Sequence, residues 1–222
     1  MDDLIQVARV HDAQEARILA ACGVTHVGFP LGLSVHEEDL PVDAAAAVIR
    51  ELRPSVTAVL ITYLKTAGAI CSLARELGVS AVQVHGTIER QELGRLKAMT
   101  ENLYVIKSLI VGASSREVLI HRVDEFSPFV DAFITDTYDA QTGACSATGK
   151  LHDWSVSREL AAYASRPLIL AGGLNQHNVG EAIRAVRPAG VDVHTGVEDA
   201  SGRKSRDRVA AFVKTAREAF AR

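Results

Sequence analysis

The chain has 222 residues, of which 48% are hydrophobic and 23% charged, and carries a formal net charge of −3. That size and balance suit one large α/β domain with a full core; they supply no basic footprint for nucleic acid, and no apolar run reaches membrane-spanning length. Cys22, Cys71 and Cys145 are odd in number and lack metal-ligand spacing, and the start Met1-Asp-Asp-Leu-Ile resembles neither a signal nor a transit peptide, so a reducing cytoplasm is expected, with no metal or cofactor.

Leu4 to Val10 forms the first β-rich run, and His11-Asp12-Ala-Gln-Glu15 opens a helix that Gly23 closes. The same unit then repeats. Thr25–Phe29 is a strand, followed by a loop through Gly32 and Pro41 and a helix from Val42 to Leu52. Strand Thr57–Ile61 leads to a helix over Thr66–Leu77 that Gly78 caps, and strand Val79–Val84 ends at His85-Gly86 before a helix over Glu89–Met99. Leu103–Ile110 is the fifth strand, and Ser114-Ser-Arg-Glu117 has a capping-box pattern at the start of the next helix. Strand Val130–Thr135 ends at Asp136, and Thr137 to Asp153 is the longest loop. Helix Trp154–Ala164, strand Pro167–Leu170, helix Gln176–Val186, strand Val191–His194 and helix Ser205–Ala221 complete the chain. Eight strands alternating with eight helices predict a single-domain (βα)8 barrel over residues 1–222, with its site at the C-terminal ends of the strands.

Two of those ends share a pattern. Leu170-Ala-Gly-Gly-Leu174 and Val193-His-Thr-Gly-Val197 each run from a short apolar strand into glycine and then a helix start. Glycine lets backbone approach a ligand, and a helix start offers unpaired N–H groups to an anion. Gly172, Gly173, Thr195 and Gly196 are therefore expected to cradle a phosphate, the alternative being that they only form turns. On this expectation Gly173→Ala or Gly196→Ala weakens phosphosugar binding far more than folding, while Gly94→Ala changes nothing. The other rim candidates are Gln83, His85, Lys107 and Asp136.

Collected in this way, the residues resemble the phosphoribosylanthranilate isomerase family, the ribulose-phosphate-binding barrels of tryptophan biosynthesis. Gly28-Phe29, Val82-Gln-Val-His-Gly86, Val105-Ile-Lys107, Asp136 with Thr148-Gly-Lys-Leu-His-Asp-Trp154, Leu170-Ala-Gly-Gly-Leu174, Val191–Glu198 and Gly202-Arg-Lys204 carry the resemblance over essentially the whole length. It implies an Amadori-type isomerisation of a phosphorylated pentose or N-phosphoribosyl amine. A general acid, mapped to Asp136, protonates the ring oxygen, and a base takes the C2 proton of the resulting iminium ion. The resemblance also implies a small phosphosugar substrate and a monomer or homodimer.

Two positions depart from the family. Its base is a cysteine in a Lys-Ile-Cys-Gly-Ile-Thr run, where this chain has Gln6-Val-Ala-Arg-Val-His11 and so Ala8. Its Ser-Pro-Arg, whose arginine holds the anthranilate carboxylate, is replaced by Ser34-Val-His36, and imidazole lacks the bidentate fork of arginine. Both changes fall on the anthranilate and base side, while the phosphate side is kept. His11 is the candidate replacement base, beside an ordinary role at a helix start. Cys145 is a second candidate, and Lys107 suits a Schiff base as well as the isomerase pattern. His26 and His194 are unusual for the family and contact ligand or cap the rim. An enzyme with altered substrate or reaction is the leading expectation; a catalytically inactive phosphosugar-binding or partner protein is the alternative.

Overall fold

The computed structural model describes residues 3–33, 38–52, 54, 56–100, 102–137 and 154–221. Eight parallel strands close on themselves in sequence order, β1 Leu4–Ala8, β2 His26–Pro30, β3 Thr57–Thr62, β4 Ala81–Val84, β5 Tyr104–Val111, β6 Ala132–Thr137, β7 Leu168–Leu170 and β8 Gly190–Val193. The seam pairs Leu4 with Gly190 and Val7 with Val193, so β1 is zipped to β8 along nearly its whole length. Around the strands lie α1 Ala13–Ala21, α2 Val42–Leu52, α3 Ala67–Leu77, α4 Arg90–Met99, α5 Arg116–Phe126, α6 Trp154–Tyr163, α7 Val179–Val186 and α8 Arg206–Phe220. The (βα)8 expectation is met. No helix among the described residues is long and apolar enough to cross a membrane.

Strand side chains alternate between two cores. The lumen floor is small, built from Leu4, Val59, Ala81, Ile106, Ala132, Ile134, Ile169 and Ala171. The larger core lies between strands and helices and takes the intervening residues, such as Ile5, Val7, Val105, Phe133 and Val191. One step above the floor the lumen becomes polar. Gln6 Nε2 donates to Gln83 Oε1 at 3.0 Å, and Gln83 Nε2 donates to Ser108 Oγ at 3.4 Å. Leu4–Gln6–Ala8 and Ala81–Gln83–His85 thus each climb from apolar floor to polar layer to rim, the order that places chemistry at the C-terminal end.

Local signals set most helix ends. Asp12 caps α1 by accepting the Glu15 N–H at 2.9 Å, Thr66 caps α3, and Gly78 ends α3 at φ 69°, where a side chain would be strained. Two starts differ from expectation. Ser115, not Ser114, is the N-cap of α5, because Ser114 is held in a bridge to Val111. α7 begins at Val179 and not Gln176, because Asn175 and Asn178 spend their side chains on local turns: Asn175 Oδ1 accepts from the His177 N–H and Asn178 Oδ1 from the Asn175 N–H, both at 2.8 Å. The loop expected over Thr137 to Asp153 lies outside the described residues beyond Thr137, and Cys145 with it.

Candidate active site

The C-terminal rim encloses a cavity of about 450 Å³ whose walls include Ala8, Gln83, His85, Asp136, Gly172, Gly173, Thr195 and Gly196. Most of the expected site residues therefore come together. On one side stands Asp136, the inward residue at the end of β6. Its Oδ1 accepts the Thr137 N–H at 2.7 Å, and its Oδ2 lies 3.7 Å from His85 Nδ1, which in turn sits 3.1 Å from Ser108 Oγ. The Tyr63 ring packs at a tilt on His85, with centroids 4.9 Å apart. Burial raises the Asp136 carboxyl to about 8, the Thr137 N–H works against that rise, and the charge of Asp192 adds to it. At neutral pH Asp136 is consequently a protonated acid facing the cavity.

Next to Asp136 around the rim lie the turns after β7 and β8 that were expected to hold phosphate. Gly172 and Gly173 turn the chain after β7 at φ 104° and 64°, and a short 3-10 turn over Thr195–Val197 follows β8. The two turns are in backbone contact: a Cβ on Gly196 would lie 1.9 Å from the Leu174 carbonyl oxygen. Gly196 is therefore obligatory for the approach of the two loops, whatever binds there. The expectation that its substitution would spare folding is corrected accordingly.

Two expected site residues fall elsewhere, and a third lies outside the described residues. Lys107 points away from the lumen, because inward positions on β5 are Ile106 and Ser108. Its Nζ donates to the carbonyls of Val84, Gly86 and Ser108 at 3.0 to 3.2 Å, near the Phe126 ring. Three acceptors match the three donors of an ammonium, although burial, with help from Arg122, draws its pKa down to about 7. Lys107 thus ties strand ends together, and a Schiff base there lacks access to the cavity. Lys107→Met is expected to destabilise the fold by about 2–4 kcal/mol, since removing one partner leaves buried acceptors unpaired, while the folded fraction keeps its KM; denaturant titration and kinetics on the same sample check both.

His11 does not line the cavity either. Its Nδ1 lies 3.0 Å from Glu15 Oε2 and its Nε2 3.7 Å from Asp39 Oδ1, so both ring nitrogens face carboxylates at the start of α1 and in the loop after β2. Glu15 also accepts the His11 and Lys204 N–H groups, which anchors this ring as part of the scaffold. His36 lies outside the described residues.

Several wall residues were not singled out by their motifs. Asp192, inward on β8, is raised to about 7 by burial against a Gln6 hydrogen bond and the Lys204 charge, and its Oδ1 has no partner among the described residues. Strand alternation alone marks it, since the lumen position after Gly190 is Asp192. Arg9, at a positive φ of 68° normally reserved for glycine, makes a two-pronged contact with Asp39 at 2.7 Å, and both line the cavity. His194, which the sequence did mark as contacting ligand or capping the rim, lines it as well.

The sequence model of one family, described as N-(5'phosphoribosyl)anthranilate (PRA) isomerase, matches residues 10–215. The chain belongs to that family. Among its relatives, N-(5'-phosphoribosyl)anthranilate isomerase 2 of Methanosarcina mazei is 37% identical over 97% of this chain and 95% of its own length. The isomerase of Haloferax volcanii is 35% identical, covering 97% and 93%. The crystal structure of phosphoribosyl anthranilate isomerase from Thermotoga maritima superposes with a TM-score of 0.82 at 28% identity, over 98% of this chain and all of that one. A further phosphoribosyl anthranilate isomerase structure, in complex with reduced 1-(o-carboxyphenylamino)-1-deoxyribulose 5-phosphate, matches with a TM-score of 0.80 at 27% identity, covering 98% and 100%. The isomerase resemblance in the sequence is thereby established, and the chain is one of a family of isomerases.

Proposed function

We propose that this member isomerises N-(5'-phosphoribosyl)anthranilate, or an N-phosphoribosyl amine close to it, to the corresponding 1-amino-1-deoxyribulose 5-phosphate. The observation that carries the reading is Asp136, an acid kept protonated by burial on the wall of the same cavity that the glycine turns after β7 and β8 line. An acid with a pKa near the working pH is suited to protonate the furanose oxygen and open the ring. Gly172, Gly173, Thr195 and Gly196 would take the 5-phosphate through backbone N–H groups, which orients C1 and C2 toward the middle of the cavity. The named activity of relatives spanning nearly the full chain supports the same substrate.

Ala8 favours a second reading, a barrel that binds the phosphosugar without converting it, because alanine cannot take a proton. Incubation with phosphoribosylanthranilate, followed by loss of its fluorescence, separates the two. Turnover of ~1 to 10³ per second is the expected result. Saturable binding of the substrate with no product formed would leave the binding-only reading.

A further inference from the structure

On β1, the family's proton acceptor is replaced by the methyl group of Ala8, yet the isomerisation proposed above still has to break a C2–H bond. The barrel register identifies what stands beside that gap. Val7 pairs with Val193, the last pair of the seam; Ala8 and His194 are the residues that follow them, and both line the cavity. His194 is the first residue after β8 and, like the inward Asp192, faces the cavity. Its side chain is 21% exposed. The buried ring nitrogen is Nε2, which has no hydrogen-bond partner among the described residues and lies 3.4 Å from Glu198 Oε1. Glu198 is itself fixed by Lys204, whose Nζ donates to Glu198 Oε1 at 2.7 Å and to the His194 carbonyl at 3.0 Å. A carboxylate behind one imidazole nitrogen holds the proton on that nitrogen and leaves the other as an acceptor, with the geometry tightening when substrate binds.

We propose that His194, held by Glu198, accepts the C2 proton of the ring-opened substrate in place of a group on β1. The inference rests on the isomerase reading. In the step itself Asp136 gives its proton to the ring oxygen as the C1–O bond opens to the C1=N iminium ion. The Nδ1 lone pair of His194 then takes the C2 proton. The C2–H electron pair becomes the C1=C2 bond, and the C1=N pair moves onto nitrogen. The enaminol ketonises when C1 takes the proton back from the imidazolium and the C2 hydroxyl proton returns, by way of water, to Asp136. No oxidant, metal or co-reactant enters.

Without substrate, the charge around the ring keeps it neutral but makes it a weak base. Burial and the cations Lys204, Arg9 and His11 hold His194 in its neutral, proton-accepting form, with a pKa of about 3. A bound phosphate at the adjacent Thr195 and Gly196 brings negative charge that raises the basicity of the ring when substrate is present. Other candidate bases fit less well. His11 is occupied by Glu15 and Asp39 outside the cavity wall, and His85 belongs to the Asp136 side. Asp192 is coupled electrostatically to Asp136 and sits one layer deeper, at the level of Gln6.

The test uses the full chain with phosphoribosylanthranilate. His194→Ala is expected to lower kcat by ~10² to 10⁴-fold with KM within a few-fold of the parent, and His194→Gln, which keeps the size of the side chain, is expected to do the same. Adding Ala8→Cys to His194→Ala is expected to recover tenfold or more, because the thiolate stands beside the vacated ring. Glu198→Gln acts through His194, so its loss should fall on kcat and not on KM. If the parent turns over and His194→Gln keeps kcat within threefold, the inference fails and the isomerase reading stands. A kcat loss confined to Asp192→Asn would move the proton to that carboxylate and likewise overturn it. If the parent shows no turnover, the isomerase reading falls and this inference falls with it.

Discussion

Asp136→Asn is expected to lower kcat by ~10² to 10⁴-fold and, at the same time, to make the fold more stable than the parent as pH rises. Both effects come from one carboxyl. In the unfolded chain an aspartate titrates near ~3.9, whereas in the fold burial raises Asp136 to about 8. Between those values the native state holds one proton more than the unfolded state, so the stability this group contributes is fully present below the lower value and is lost as pH rises through the upper one. Asparagine has the same shape and no proton to lose. The advantage of the variant should therefore grow by up to ~1.4 kcal/mol per pH unit across the window and level off above pH 8. Asp192, raised to about 7, titrates in the same range, so the quantity to follow is the difference in Tm between variant and parent at pH 5, 7 and 9. For the parent, kcat/KM should fall as pH rises through about 8, because the ionised form has no proton to give. A Tm difference that stays constant from pH 5 to 9 would mean that Asp136 is ionised in the fold and would remove it as the acid.

The rhythm of the barrel was legible because each strand and helix carries its own signal: an apolar run, an acid-rich or Ser/Thr/Asp start, and a glycine at the end. Asp12, Thr66, Gly78 and Ser205 act where they are expected. The misplaced starts, at Ser114 and Gln176, are positions where a hydroxyl or amide had two local uses, and the choice was made by a backbone bridge or an Asx turn that sequence spacing does not resolve. Asp136, Gln83, His85 and the glycines, expected on the rim, do line the cavity, because they lie at or just after the inward-facing ends of strands. Lys107 has the right residue type at a strand end but the wrong parity, and parity is visible only once the strand register is fixed. Arg9–Asp39 depends on the segments after β1 and β2 meeting, a long-range fact that no local pattern encodes, whereas His194–Glu198 is a local pair four residues apart that a sequence scan could have flagged. Of the histidines considered, His194 lines the cavity and His11 does not.

Gly196→Ala is expected to damage both folding and phosphosugar binding, in contrast to Gly173→Ala. The added Cβ of Gly196 would stand 1.9 Å from the Leu174 oxygen, 2.9 Å from its carbonyl carbon and 3.0 Å from Asn175 Cβ. Two of those three atoms are backbone, so no rotamer change relieves the clash and one loop has to move off the other. Overpacking of this kind costs about 1–3 kcal/mol, which for a chain of this size lowers Tm by on the order of 5 °C. The movement also separates the two turns proposed to share a phosphate. Losing one or two charge-assisted hydrogen bonds, each worth roughly 1.5–3 kcal/mol, lowers affinity by ~10-fold to ~10⁴-fold. Gly173 meets a different obstacle: at φ 64° alanine is tolerated at a cost of about 1–2 kcal/mol, so its effect on both readouts should be smaller. Gly94→Ala, on the exterior helix α4, is the control, since its Cβ would meet only the Phe129 ring, with Cε1 at 3.4 Å and Cδ1 at 3.5 Å, and alanine is the better helix former there. Calorimetry with ribulose 5-phosphate and with sulfate, beside thermal melts of all three variants, checks the order. If Gly196→Ala melts lower but binds ribulose 5-phosphate as tightly as the parent, the turns after β7 and β8 serve only to pack against each other, and the phosphate has to be placed elsewhere on the rim.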